Sequence, residues 1–186
     1  MLPDKPSILA LCGSLAANSL NHNLLEWLAV QSAASLQVTI YDGLGSLPLF
    51  NPDLIVSGNI PSAVTQFKDS LRNAAGVIVC TPEYAMGPPG ALKNALDWTV
   101  ATSDFSGKPT LLITAASMGE KSHASLLGTL RIIEARVDED MQVHIPFAKA
   151  KIAPEGPRDE ATRDVLLAAL GKLAASVAED APMPSS

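Results

Sequence analysis

The sequence predicts a doubly wound α/β fold, one parallel sheet with helices against both faces. Two features point to it. Short apolar runs alternate with longer amphipathic stretches along the whole chain. The principal apolar runs are also near-continuous, as strands buried on both faces require. Five strands interleave with five helices, and right-handed crossovers turn that order into a doubly wound sheet. The 186 residues suit one domain at roughly 150 residues per domain, with no internal repeat and no dividing linker. Residues 1–180 are read as that single domain and 181–186 as a frayed tail.

Taken in order, Ser7 to Cys12 is an apolar run between Pro6 and Gly13, and it reads as a central strand. Asn18 or Ser19 caps a helix whose Leu20, Leu24, Leu25 and Leu28 recur at three- and four-residue spacing. Leu36 to Tyr41 alternates like a half-buried edge strand. Asp42 to Ile60 shows little periodicity and reads as a long connection. Pro61-Ser62 opens a helix through Val64, Phe67, Lys68 and Leu71, and Gly76 to Cys80 is the third strand. Thr81-Pro82 closes that strand, because proline cannot continue a ladder. Gly87-Pro-Pro-Gly90 is a turn that releases a helix from Ala91 to about Ala101. Lys108 to Ala115 is the fourth strand, Lys121 to Ala135 a helix, and Met141 to Ile145 a weak fifth strand. Ala161 to Ala178 is the closing amphipathic helix.

Composition excludes several classes of function. With 47% hydrophobic and 17% charged residues, a chain of this size can bury about 70% of its unfolded surface, so disorder is excluded as the main state. A net charge of −6 and a pI near 4.9 oppose a phosphate-backbone-binding surface, and 4% aromatics leave few rings for base stacking. No nucleic-acid partner is expected. Cys12 and Cys80 are too few for a disulfide framework and lack zinc-site spacing; they read as small buried hydrophobes and fit a reducing cytoplasm. His22 and His144 have no acid or cysteine at ligand spacing, so no metal is expected. No run approaches the ~18 apolar residues of a membrane span. Lys5, Ile8 to Leu11 and Cys12 loosely resemble a lipoprotein signal, but the apolar stretch is short, Asp4 spoils the basic region and Leu11 stands where a small residue belongs.

Ligands of doubly wound sheets bind beyond the carboxyl ends of the strands, where strand order reverses. Three loops lie there: Gly13 to Asn21, Thr81 to Gly90 and Ala116 to His123. The first holds Ser14, Ser19 and Asn21 as side-chain donors and contains no acid. A helix N-terminus carries unpaired N–H groups and about half a positive charge, which suits a phosphate. On spacing alone, these residues either seat an anion or merely cap a helix. The loop lacks the lysine of a G-x-x-x-x-G-K-[ST] motif and two glycines of G-x-G-x-x-G, so nucleoside triphosphate and dinucleotide readings fall away.

The first loop and the stretch from Thr81 to Trp98 together resemble the NADPH-dependent FMN reductase family of flavodoxin-like proteins, which includes flavin, quinone and chromate reductases. The family pattern G-S-x-R-x-x-S-x-N is met by Gly13, Ser14, Ser19 and Asn21. Its pattern P-E-Y-N-x-S-x-P-G-x-L-K-N-A-I-D-W is met by Pro82, Glu83, Tyr84, Pro89, Gly90, Leu92 to Ala95, Asp97 and Trp98. Ser117-Met-Gly119 and Leu130-Arg131 resemble its third loop and the helix beyond. The resemblance spans about residues 7 to 145. It implies a flavodoxin-like three-layer sandwich with a five-stranded parallel sheet in order 2-1-3-4-5. It also implies FMN, with NADPH or NADH as co-substrate. The phosphate would lie against Ser14, Ala16, Ser19, Leu20 and Asn21, the ring against Pro82, Glu83, Tyr84 and Ala85, and the ring's polar edge near Ser117 and Gly119. A homodimer or dimer of dimers is implied as well, with Trp98 in the core or at a subunit contact.

The expected activity is transfer of a hydride from NAD(P)H to the flavin, then on to a quinone, flavin or metal-oxyanion acceptor, by a ping-pong mechanism. The cofactor carries the chemistry, so no catalytic side chain is required. The alternative is a flavodoxin-like electron carrier or flavin-binding module without turnover. Such carriers usually sandwich the ring between aromatics, and only Tyr84 stands close here. Four departures from the family matter. Ala16 replaces its arginine, which predicts weakened FMN binding. Ala85 replaces its asparagine, Gly87 its serine, and Ser122-His123 a pair of glycines. Glu83 and His123 are expected to face water.

Overall fold

The computed structural model describes residues 5–180, so the expected frayed tail lies outside the described residues. Five parallel strands form the sheet: β1 (Ser7–Cys12), β2 (Gln37–Tyr41), β3 (Gly76–Thr81), β4 (Thr110–Ala115) and β5 (Gln142–Ile145). Their spatial order is β2-β1-β3-β4-β5, so the order reverses between β1 and β3. This is the flavodoxin-like arrangement. The central strands are continuous apolar runs because successive side chains feed two different cores. Ile8, Ala10 and Cys12 of β1 join Ile78, Cys80, Leu111 and Ile113 on one face. Leu9, Leu11, Val77, Val79 and Leu112 point to the other.

Helices α1 (Leu20–Ser32) and α7 (Glu160–Glu179) cover the first face through Leu24, Leu28, Leu166 and Leu173. Helices α3 (Ser62–Asn73), α4 (Gly90–Asp97) and α5 (Glu120–Ile132) cover the second through Phe67, Leu92, Leu96, Leu126 and Leu130. The 42–60 connection, read as irregular, contains a short helix, α2 (Pro52–Val56), started by the Asn51 side chain, which accepts from Asp53 N–H. Trp98 is fully buried, edge-on to Phe50 at 5.2 Å, and its Nε1 donates to the Pro48 carbonyl at 2.8 Å. It is therefore core within the single chain.

Several boundaries move. Helix α4 ends at Asp97 rather than near 101, and the chain then turns through Ser103 and Gly107, both at positive φ. Helix α5 ends at Ile132 rather than 135, because Glu134 adopts a left-handed conformation at φ 65°. The tight turn in the second loop sits at Ala85-Met86, one step before Gly87-Pro88-Pro89-Gly90, which instead leads into α4. Periodicity gave no sign of α6 (Ala148–Lys151) or of the hairpin β6 (Ile152–Ala153) and β7 (Gly156–Pro157). These pieces lie against α1, where a Cβ at Gly156 would meet the Trp27 ring at 2.4 Å.

Among the described residues, no helix is long and apolar enough to cross a membrane.

Candidate functional site

A cleft of about 390 Å³ opens beyond the carboxyl ends of β1, β3 and β4. All three loops named from the sequence line it, through Ser14, Ala16 and Ser19 to Asn21, then Pro82 to Tyr84, then Ser117. Its size falls within the usual range of small-molecule sites, roughly 300 to 1,000 Å³. A larger depression of about 710 Å³ lies at the opposite ends of the strands, around Pro6, Lys108 and Arg136, away from these loops. The position at the strand-order reversal and the donor set single out the first cleft.

The first wall is the start of α1. Gly13 N–H donates to the Cys80 carbonyl at 2.8 Å, which locks the end of β1 to β3. A Cβ at Gly13 would stand 2.3 Å from Thr81 Oγ1, so the close approach of the two loops demands glycine. Ser19 is the N-cap, its hydroxyl accepting from His22 N–H at 3.4 Å, and the first turn holds no acid. The Leu20 and Asn21 N–H groups of that turn have no intrahelical acceptor, and donors of this kind can hold an anion. Asn21 differs from expectation: its amide turns inward, Nδ2 donating to the Ala115 carbonyl at 3.3 Å and Oδ1 accepting from Cys80 Sγ at 3.4 Å. The side chain thus anchors the helix to the sheet, and what Asn21 offers the cleft is backbone.

The second wall is a tight turn. Tyr84 and Gly87 exchange both backbone hydrogen bonds, at 2.9 and 3.0 Å, with Ala85 at φ 49° and Met86 at φ 63° between them. Two successive positive φ values usually call for asparagine or glycine. This strain sits at the mouth of the cleft and fixes where the turn's N–H groups point. Tyr84 is 53% exposed, and its hydroxyl lies 3.4 Å from Ser14 Oγ, bridging the two walls.

Glu83 is half-buried and bonded rather than free in water. Its Oε2 accepts from Ser122 N–H at 2.9 Å, and Ser122 Oγ donates to the Pro82 carbonyl at 3.2 Å. A carboxylate at the N-terminus of α5 suits the helix dipole and ties the second loop to the third. Ser122 therefore has a bonding role at a position where relatives often carry glycine. His123 is not solvated either. Half-buried, its Nδ1 lies 2.9 Å from Thr114 Oγ1 and its ring 5.8 Å from that of His144. Burial holds its pKa below the ordinary value, and the neighbouring His144 adds to the effect. Gly119, buried at φ 96°, would bring a Cβ within 2.9 Å of His144 Nε2.

Cys12 and Cys80 are register partners on neighbouring strands and both are buried. Burial raises both thiols above their ordinary pKa, Cys80 strongly, as suits inert core groups. Among the described residues, no cluster of three potential metal ligands occurs. The site also includes Asn18, Ala115, Ala116, Ala148 and Lys149, which motif spacing did not single out. Ala148 and Lys149 could not be found that way, because hydrogen bonds from Phe147 and Ala148 to Ser117 and Ala116 bring their segment back to the site.

An acid-free helix start and a cleft beside an exposed tyrosine, closed by a tight turn, suit a cofactor that carries a phosphate and a ring. The fold and the cleft thus define a flavodoxin-like protein with a flavin-nucleotide-type site. Residues 6–150 match the family model of the NADPH-dependent FMN reductases, and the chain belongs to that family.

The chain is similar to the quinone reductase of Escherichia coli K12, at 34% identity over 120 residues. The match covers 63% of each chain, under two thirds of that relative's length. It is 32% identical to the 2-hydroxy-1,4-benzoquinone reductase of a Burkholderia species, over 91% of this chain and 95% of that one. Among solved structures, it resembles the flavoenzyme NAD(P)H:(acceptor) oxidoreductase FerB of Paracoccus denitrificans. The TM-score is 0.76 and the identity 25%, covering 94% of this chain and 98% of that one.

Proposed function

We propose that this chain is a single-domain, FMN-dependent NAD(P)H oxidoreductase that reduces a small acceptor by a ping-pong mechanism. The observation that carries the reading is one cleft in which the acid-free start of α1 faces the strained Tyr84–Gly87 turn. FMN bound there would supply the redox chemistry, accepting a hydride from NAD(P)H and giving two electrons to the acceptor.

The protein's work is binding and orientation. Backbone N–H groups of Ser19, Leu20 and Asn21, with the Ser14 hydroxyl, would hold the phosphate, and the Ala16 N–H, which donates to Ser14 Oγ at 3.4 Å, would orient that hydroxyl. Pro82 to Ala85 would lie along the ring and Ser117 beside its polar edge, where a fixed donor would stabilise negative charge, whereas Gly119 is buried against His144 and does not line the cleft. Glu83 keeps the second and third loops in register through Ser122. With FMN bound, the nicotinamide and the acceptor would occupy the open side of the cleft in turn. A quinone is the favoured acceptor class, supported by the names of the Escherichia coli and Burkholderia relatives. A homodimer fits the exposed Leu49 and Met86 on the segments beside α4.

Anaerobic stopped-flow mixing of the FMN-loaded protein with NADPH or NADH tests the reading. Rapid bleaching of the oxidised flavin band, reversed on adding a quinone, is expected. Persistence of the oxidised spectrum with both nucleotides would favour the electron carrier and overturn the enzyme.

A further inference from the structure

Lys149, an exposed residue, is the cation among those lining the cleft, and Ala16 stands there without charge. Glu83, the acid among the lining residues, is committed to Ser122 N–H. A short chain of bonds places Lys149 beside the start of α1. Asn21 Nδ2 donates to Ala115, and Ala148 N–H donates to the adjacent Ala116 carbonyl at 3.0 Å. Lys149 follows directly. The segment lies on the α1 face of the sheet, with Ala148 in the same core as Leu24 and Leu25. The ring-side turn instead leads into α4 on the opposite face.

We infer that Lys149 is the residue through which this protein discriminates FMN from riboflavin. Its ammonium would reach over the first turn of α1 to the cofactor's phosphate, supplying from α6 the charge that position 16 does not. The inference rests on the cofactor reading above. The exposed, flexible lysine acts as a point charge rather than a bidentate fork. It therefore adds affinity for the dianion without fixing the ring, and that contribution falls with salt. Weak FMN binding, expected from Ala16 alone, is then no longer required.

Equilibrium titration of the apoprotein with FMN and with riboflavin, at low and high salt, tests this. In Lys149→Gln the FMN dissociation constant should rise about tenfold or more, as for loss of a charged donor, while riboflavin changes less than about twofold. Lys149→Arg should retain FMN binding, and Ala16→Arg should restore it in the Lys149→Gln background. Lys151→Gln controls for net charge, because Lys151 faces a separate groove with His144 and Asp159. Equal weakening of FMN and riboflavin in Lys149→Gln, unchanged FMN binding, or the same loss in Lys151→Gln overturns the inference. If the unaltered protein binds neither flavin, the cofactor reading itself falls.

Discussion

Ala85 and Met86 hold left-handed backbone, at φ 49° and 63°, where a Cβ is disfavoured. The family pattern has asparagine at position 85, a residue that tolerates this conformation. Alanine removes that preference, yet the paired bonds between Tyr84 and Gly87 keep the turn. Relieving the strain should therefore stabilise the protein. Ala85→Gly is expected to raise unfolding free energy by about 1 kcal/mol, the lower end of the cost of a strained residue. The urea midpoint checks it, and a fall in the midpoint would show that the turn stores no strain. The same residue scale explains why the side chains of Glu83 and Asn21 depart from what their motifs predict. Each side chain's partner lies far along the chain, 39 residues away for Ser122 and 94 for Ala115. Motif spacing does not reach that far.

At the level of elements, α3 carries an apolar stripe that includes Lys68, buried at 3% exposure. Its ammonium lies 3.7 Å from Asp104 Oδ2, and Arg72 Nε donates to Asp104 Oδ1 at 2.7 Å. Thr102 Oγ1 also bonds Asp104. Asp104 thus fastens the irregular stretch after α4 to α3. Burial lowers the Lys68 pKa while Asp104 opposes that shift. Asp104→Ala would leave a buried ammonium without its carboxylate and should cost about 3 to 5 kcal/mol. The double replacement Lys68→Met, Asp104→Leu should recover most of this, since an apolar pair of similar volume is often neutral. Urea unfolding of both variants decides it, and a single-variant loss below about 1 kcal/mol would contradict the pairing. The helical position of Lys68 was legible from spacing. Its partner was not, because Asp104 sits in a stretch without periodicity.

For the whole molecule, the sheet was legible because β1, β3 and β4 are buried on both faces and must read as apolar runs. The cleft was legible because the strand-order reversal gathers loops whose sequences carry glycine, serine and a tyrosine turn. Residues 146–157 were not, since α6 and the β6–β7 hairpin are too short to show a period and are held by contacts with α1 and the third loop. That segment completes the cleft with Ala148 and Lys149. A crystal structure of the protein saturated with FMN tests the account most directly. It should place the phosphate against the first turn of α1 and the ring along Pro82 to Ala85, with Tyr84 at its edge. FMN lodged away from these loops, or both walls empty at saturating cofactor, would contradict it.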